Sequence, residues 1–199
     1  NKRQPGSGCA AIGGYSRMHA VLGVSDQCIA AHPSDMCVAL LALDAVVHTS
    51  GPRGERAIPL ADFHALPGSH PERESVLEAG EIVTHVSLEN SELGKRSAYV
   101  KARDRASYAF ALASAAAGLE LEGTLIRKAR VALGGVASKP WRCPEVELAL
   151  IGKPATAESF SSAATLAMRE AKTTSDNQFK VELARRVIAR ALTLAGSAT

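Results

Sequence analysis

The stretch Cys28–Met36 joins a glycine-rich segment to an apolar, helix-forming one, and this junction constrains the fold more than any other feature. Pro33 fixes its own φ angle and favours an extended conformation for His32. Ser34 can then cap the following helix, with Asp35 in its first turn. An ordinary helix start explains this pattern. Backbone N–H groups and a fixed carboxylate at such a junction also suit a polar ligand, so the local pattern leaves both interpretations open.

Composition excludes several classes of protein. A chain of 199 residues can form one large domain or two small ones. The net charge is only +3 and aromatic residues make up 4% of the chain, so no basic and aromatic surface for nucleic acid is expected. No apolar run reaches about 18 residues, which argues against membrane insertion. Because the chain starts at Asn1 inside a polar loop, we expect it to be a piece of a longer polypeptide.

Familiar catalytic motifs are missing from the sequence. It contains no Walker loop, no Gly-x-Ser-x-Gly and no His-Glu-x-x-His. The six histidines show no metal-ligand spacing, and we expect them at the surface or in loops. The four cysteines (Cys9, Cys28, Cys37 and Cys143) are too few for a disulfide scaffold. Cys9 and Cys28 lie in a glycine-rich loop, but without close cysteine pairs they indicate a metal site only weakly. Cys37 and Cys143 are predicted to be structural.

Hydrophobic periodicity predicts a mixture of helices and strands after an N-terminal loop that ends at Val24. A hairpin is predicted where the turn signal Glu122-Gly123 separates two strand-like runs. The last helix carries a clear apolar stripe; we expect its basic residues, Lys180 among them, to be mostly solvated and Gly196 to follow its end. The predicted helices are 36–47 (turning into a strand from residue 45), 61–63, 144–151, 157–171 and 177–195; the predicted strands are 56–60, 81–88, 97–101, 108–121 and 124–136.

Three blocks in order carry a resemblance to a known family. They are Asn1–Cys9 (NKRQPGSGC) with Ser25–Asp35 (SDQCIAAHPSD), then Tyr99–Phe110 (YVKARDRASYAF), then Arg130–Ala137 (RVALGGVA) with Lys139–Arg142 (KPWR). Together they resemble the FAD-binding medium subunit of the molybdenum hydroxylases, the xanthine dehydrogenase and carbon monoxide dehydrogenase family. Within it, they are similar to the flavin subunit of bacterial periplasmic aldehyde oxidoreductases.

The resemblance implies an α+β fold in two parts. Residues 1–93 resemble the second subdomain of the FAD-binding domain, an α/β unit, and residues 94–199 resemble the C-terminal domain, a three-stranded antiparallel sheet flanked by helices. By position, the resemblance implies flavin contacts for Ser34, Asp35, Val83, Lys101 and Tyr108. A fixed cation near the N1–O2 edge of a flavin favours negative charge there, which suits Lys101.

The aldehyde oxidoreductase branch also has a loop in which four cysteines bind a 4Fe–4S cluster. The resemblance matches Cys9 and Cys28 to two of these, in a remnant of the iron–sulfur loop at residues 1–31, and implies that the other two precede Asn1. Thiolates are the usual ligands of such clusters. We therefore expect a cluster only when the upstream cysteines are present.

The favoured hypothesis is a fragment of an electron-transfer subunit. It would pass electrons from iron–sulfur centres through FAD to an acceptor, with a large molybdenum-cofactor subunit and a small 2Fe–2S subunit as partners. The resemblance places such a complex in the bacterial periplasm or cytoplasm. The first alternative is a non-catalytic assembly module that keeps the subunit fold but binds no flavin. The second is a small metal-thiolate protein using Cys9, Cys28 and Cys37.

Overall fold

The computed structural model describes residues 1–197. Its helices are α1 (Asp35–Ala42), α2 (Leu60–Phe63), α3 (Glu92–Lys95), α4 (Pro144–Leu150), α5 (Ala157–Ala164) and α6 (Phe179–Ser197), with a 3₁₀ turn at Thr165–Met168. Its strands are β1 (Val46–Gly51), β2 (Gly54–Pro59), β3 (Ile82–Ser87), β4 (Ser97–Ala102), β5 (Ala113–Glu122), β6 (Leu125–Gly134) and β7 (Trp141–Arg142). Within the described residues, no helix is long and apolar enough to span a membrane.

The first sheet is antiparallel and has the order β2-β1-β3. Buried Val47 and Thr49 alternate with outward residues on β1, whereas all six residues of β3 are exposed. Glu81, just before β3, binds the guanidinium of Arg56 through both carboxylate oxygens at 2.7 and 2.6 Å. This bidentate contact joins the edge of β2 to the segment that leads into β3.

The second sheet is antiparallel with the order β4-β5-β6-β7, and its central strand β5 is rich in alanine. One face of β5, including Ala115 and Ala117, packs in the main core with α6 and the other C-terminal helices. The opposite face, including Ala116, packs with Val38 of α1. Because alanine projects only a methyl group, helices can approach this strand from both sides.

The α+β fold class and the hairpin are confirmed, with a few differences at the ends of elements. The C-terminal sheet has a fourth strand of two residues, β7, beside the three predicted strands. Helix α1 stops at Ala42 because Asp44 adopts a left-handed conformation with φ of 53°. The predicted helix over 157–171 changes to a 3₁₀ turn after Ala164, and Gly196 lies inside α6 rather than after its end.

The glycine-rich N-terminal segment has no helix or strand, as predicted, but its end is part of the core. Val21 and Leu22 are buried, and both of their N–H groups donate to the carbonyl of Val136. Lys180 is the clear error of the sequence analysis, because this side chain is fully buried rather than solvated. Its ammonium donates to the carbonyls of Met18 at 3.1 Å and Gly135 at 2.7 Å, which compensates for the lost hydration.

The division between residues 93 and 94 stays a prediction. Helix α1 precedes that division in sequence but packs on β5 and β6, which follow it.

Candidate functional site

The Cys28–Met36 junction forms the helix start predicted from its sequence. The hydroxyl of Ser34 accepts a hydrogen bond from the N–H of Cys37 at 3.2 Å, which caps α1. The N–H of His32 donates to the carbonyl of Ala137 at 2.9 Å, so the segment before the helix is fixed to the loop after β6. The junction therefore holds Asp35 on a backbone that is anchored at both ends.

Asp35 is the centre of a polar cluster with strand β4. One of its carboxylate oxygens accepts from the hydroxyl of Tyr99 at 2.7 Å, and the other accepts from the ammonium of Lys101 at 2.6 Å. Residues 99 and 101 are two apart on one strand, so both side chains leave the same face of the sheet. Tyr99 was missed by the sequence analysis, and its spacing from Lys101 is the signal that could have found it.

Electrostatics favour an ionised carboxylate at this position. Burial acts to raise the pKa of Asp35, but hydrogen bonds from Lys101 and Tyr99 and the positive charge of Arg103 outweigh it, so the pKa lies below its usual range. Burial, aided by the carboxylate, raises the pKa of Tyr99, which keeps that hydroxyl protonated as a donor. The cluster thus presents a fixed anion and a fixed cation side by side.

The cluster remains open to a ligand. The Asp35 side chain is 45% exposed and the Lys101 side chain 20%. Each carboxylate oxygen has further lone pairs, and the ammonium has donors beyond the one used for Asp35. Neighbouring acceptor and donor groups match the polar edge of an isoalloxazine ring, which carries an N–H group between carbonyl oxygens. The donor set therefore fits FAD.

Two of the predicted flavin contacts lie on other elements. Val83 is 44% exposed on β3, which belongs to the first sheet. Tyr108 is 95% exposed in the loop between β4 and β5, where its φ of 52° is unusual for a residue other than glycine. The structure brings Lys101 to Asp35 at the helix start that Ser34 caps, while the flavin contacts of all five residues stay predictions.

Cys9 and Cys28 occupy a loop that is held together by Asn1. The side chain of Asn1 accepts from the N–H of Gly8 at 2.9 Å and donates to the carbonyl of Gln27 at 3.0 Å. It therefore bridges the residues that immediately precede the two cysteines. Cys28 is buried and Cys9 half-buried, and both are free thiols.

The matches to known families follow the order of this architecture. Residues 9–89 match the model of the FAD binding domain in molybdopterin dehydrogenase, and residues 97–195 match that of the CO dehydrogenase flavoprotein C-terminal domain. The Asp35 cluster thus lies within an FAD-binding architecture and connects its two matched regions, and FAD is the cofactor that the match supports. The chain belongs to the family of FAD-binding medium subunits of molybdenum hydroxylases.

Individual proteins that this chain resembles include subunits of the same family. The aldehyde oxidoreductase FAD-binding subunit PaoB of Escherichia coli strain K12 is 48% identical over 193 residues, which are 96% of this chain and 57% of PaoB. The glyceraldehyde dehydrogenase medium chain of Sulfolobus acidocaldarius is 37% identical over 120 residues, 60% of this chain and 40% of that protein. The crystal structure of quinoline 2-oxidoreductase from Pseudomonas putida 86 superposes with a TM-score of 0.70 at 25% identity, covering 91% of this chain and 59% of the other. The chain therefore spans 57% of PaoB, 59% of the quinoline 2-oxidoreductase chain and 40% of the glyceraldehyde dehydrogenase medium chain.

Proposed function

We propose that this chain is part of the FAD-binding electron-transfer subunit of a molybdenum-dependent aldehyde or xanthine-type oxidoreductase. In this role it passes electrons from iron–sulfur centres through FAD to an acceptor. The observation that carries the proposal is the cluster of Asp35, Lys101 and Tyr99 inside a chain that matches FAD-binding subunits. The 48% identity to PaoB, an aldehyde oxidoreductase subunit, favours aldehydes as the substrates of the complex.

The residues of the cluster have separate tasks in this proposal. FAD, when bound, supplies the ability to exchange electrons one or two at a time. Lys101 provides positive charge that favours electron density on a bound ring, and Asp35 holds the ammonium in place. Tyr99 fixes the other oxygen of Asp35 and keeps the carboxylate from rotating. Substrate oxidation takes place on a large molybdenum-cofactor subunit, and a small 2Fe–2S subunit delivers the electrons.

Replacing Lys101 with methionine in the full-length gene product tests the flavin site. Methionine keeps the apolar stem but removes the cation. Because a hydrogen bond to a charged group contributes about 1.5–3 kcal/mol, FAD affinity should fall about tenfold to a hundredfold. The measurement is titration of the apoprotein with FAD, followed by flavin fluorescence. The matched control is Lys95→Met, which removes an exposed lysine that pairs with Glu92 on α3.

The same two variants separate flavin binding from assembly. Association with the partner subunits should be nearly unchanged in Lys101→Met, as judged by size-exclusion chromatography. If its FAD affinity equals that of Lys95→Met while assembly fails, the flavin assignment is wrong and the chain acts as an assembly module.

We further propose that Cys9 and Cys28 bind a 4Fe–4S cluster in the full-length gene product, with two more thiolates from outside these 199 residues. The bridge through Asn1 supports this, since it ties the two cysteine-bearing segments together. Cys28→Ser should lower the iron and sulfide content of the full-length product, measured after anaerobic purification. Stoichiometric iron in the 199-residue chain, or unchanged iron in the full-length variant, would contradict the proposal.

A further inference from the structure

Two imidazoles and one thiol converge at the start of α1, outside the Asp35 cluster. His32 precedes Pro33, Cys37 lies in the first turns of α1, and His64 follows α2. The Cys37 sulfur and one ring nitrogen of each histidine all lie within 4.8 Å of one another. The two rings stand edge to face with their centroids 4.7 Å apart. Residues separated by up to 32 positions in sequence are thus brought to one point.

The backbone of each of these residues is fixed. The N–H of His32 donates to Ala137 and the N–H of Cys37 donates to Ser34. His64 pairs with Ser75 in an isolated β-bridge, and its carbonyl accepts from Lys139 at 3.4 Å. Three donor atoms on anchored backbones can bind an ion with little loss of conformational entropy.

The histidines have unused polar atoms. Nδ1 of His32 and Nδ1 of His64 are buried and have no hydrogen-bond partner among residues 1–197. A buried polar group without a partner is unfavourable and calls for an explanation, and a bound ion is one that suits two imidazole nitrogens side by side. Burial also lowers the pKa of both rings, that of His64 to about 4, in keeping with their sheltered position.

We propose that His32, Cys37 and His64 form a binding site for Zn²⁺. Two imidazoles and a thiolate are ligands that zinc prefers, and three protein ligands leave a fourth position for water or an exogenous ligand. Both histidines line a cavity of about 360 Å³ that gives access to this position. Lys2 and Arg73 line the same cavity together with Glu74, which pairs with Lys2, so the cavity carries charges of both signs.

The geometry requires only a local adjustment. Tetrahedral zinc with bonds of about 2.0–2.3 Å places its ligand atoms roughly 3.3–3.8 Å apart, so the three atoms have to move inward by about 1 Å. Rotation about the side-chain χ angles provides such movement without a change of backbone. Binding ties the start of α1 to the segment after α2, and we expect it to raise the melting temperature. Its three ligands include none of Asp35, Lys101, Cys9 and Cys28, although Cys28 also lines the cavity beside the two histidines.

Metal titration of the full-length protein, purified anaerobically so that its iron–sulfur cluster stays in place and dialysed only to remove exchangeable metal, tests the site. Wild-type protein should bind one Zn²⁺ by isothermal titration calorimetry, and Co²⁺ in its place should give a thiolate-to-cobalt charge-transfer band. Cys37→Ser should abolish that band and weaken zinc binding more than about 100-fold, since loss of even an outer partner of a ligand costs about 10–100-fold. His64→Gln should weaken zinc binding similarly while keeping the charge-transfer band at saturating cobalt.

Control variants make the result decisive. His85→Ala removes an exposed histidine that stacks on His48, and Cys9→Ser removes a thiol of the N-terminal loop. Both should retain the zinc binding that Cys37→Ser loses. In the presence of a chelator, Cys37→Ser and the wild type should have the same melting temperature by circular dichroism. If Cys37→Ser is less stable, His64→Gln serves as the second variant that removes a ligand. Zinc binding that survives both ligand substitutions, or that depends on Cys9 instead, would overturn the proposal.

Discussion

Lys180 offers the most quantitative test of the fold, because its burial should make stability depend on pH in a defined way. The side chain is fully buried at the start of α6, and its ammonium donates to the carbonyls of Met18 and Gly135. It thereby joins α6 both to the N-terminal segment and to the loop after β6. The perturbation is Lys180→Met, which keeps the length of the side chain and removes its titrating group.

The direction of the effect follows from proton linkage. Burial, with the positive charge of Arg17, lowers the pKa of Lys180 to about 8, whereas an unperturbed lysine titrates near 10.5. Below about pH 8 the lysine is protonated in both the folded and the unfolded chain, and the full cost of the buried charge is present. Between these two pKa values the unfolded chain holds more protons, so the free energy of unfolding rises with pH. With about 1.4 kcal/mol for each pKa unit, this contribution grows by about 2–3 kcal/mol between about pH 7 and about pH 10.

The assay is urea unfolding at several pH values for wild type and Lys180→Met, since the difference between them cancels the titration of other groups. That difference should move in favour of the wild type by about 2–3 kcal/mol across this range. Lys172→Met, at an exposed position nearby, should show no such trend. A difference that stays constant within about 0.5 kcal/mol would refute the reasoning, because Lys180 would then titrate alike in both states.

Two further predictions concern contacts that position α1 and the second sheet. Glu147→Gln should lower the free energy of unfolding by about 2 kcal/mol or more, measured in urea, because this buried carboxylate accepts from the N–H of Val131 at 2.8 Å and pairs with Arg142. Gly134→Ala should cost about 1–3 kcal/mol and weaken FAD binding, since a methyl group there would lie 2.5 Å from side-chain atoms of both Val38 and Ser114. Gly94→Ala, with no atom within 4 Å, is its control; equal effects of the two glycine substitutions would contradict the packing of α1.

The elements of the fold that could be predicted from the sequence are those specified by neighbouring residues. The Pro33-Ser34-Asp35 start of α1 and the Glu122-Gly123 turn of the hairpin each act within a few residues, and both are present in the structure. The burial of Lys180 could not be predicted this way, because its acceptors lie 162 and 45 residues away in sequence. A basic residue on a helix is expected to be exposed to solvent, unless the fold places carbonyl groups from distant segments where they can accept its hydrogen bonds.

In the candidate sites, too, contacts between residues distant in sequence could not be predicted. Asp35 and Lys101 were found through a resemblance, but the bond from Tyr99 depends on which face of β4 meets α1. The histidines were expected at the surface or in loops, and their sequence spacing gives no sign that His32 and His64 approach one another. Only the packing of α2 beside α1 brings the two rings together.

Helix α1 connects these observations, because both proposed ligands depend on its first turn. The Ser34 cap fixes the N–H of Cys37 and, through the same turn, the direction of the Asp35 carboxylate. Behind that turn, Val38 packs in a tight space against Gly134, which leaves the helix little freedom to shift. A ligand held by Cys37 and a ligand held by Asp35 would therefore each favour the same placement of one short helix. Zinc and FAD should consequently bind with positive coupling, and a Gly134 substitution that displaces α1 should weaken both together, whereas Lys101→Met should weaken FAD alone.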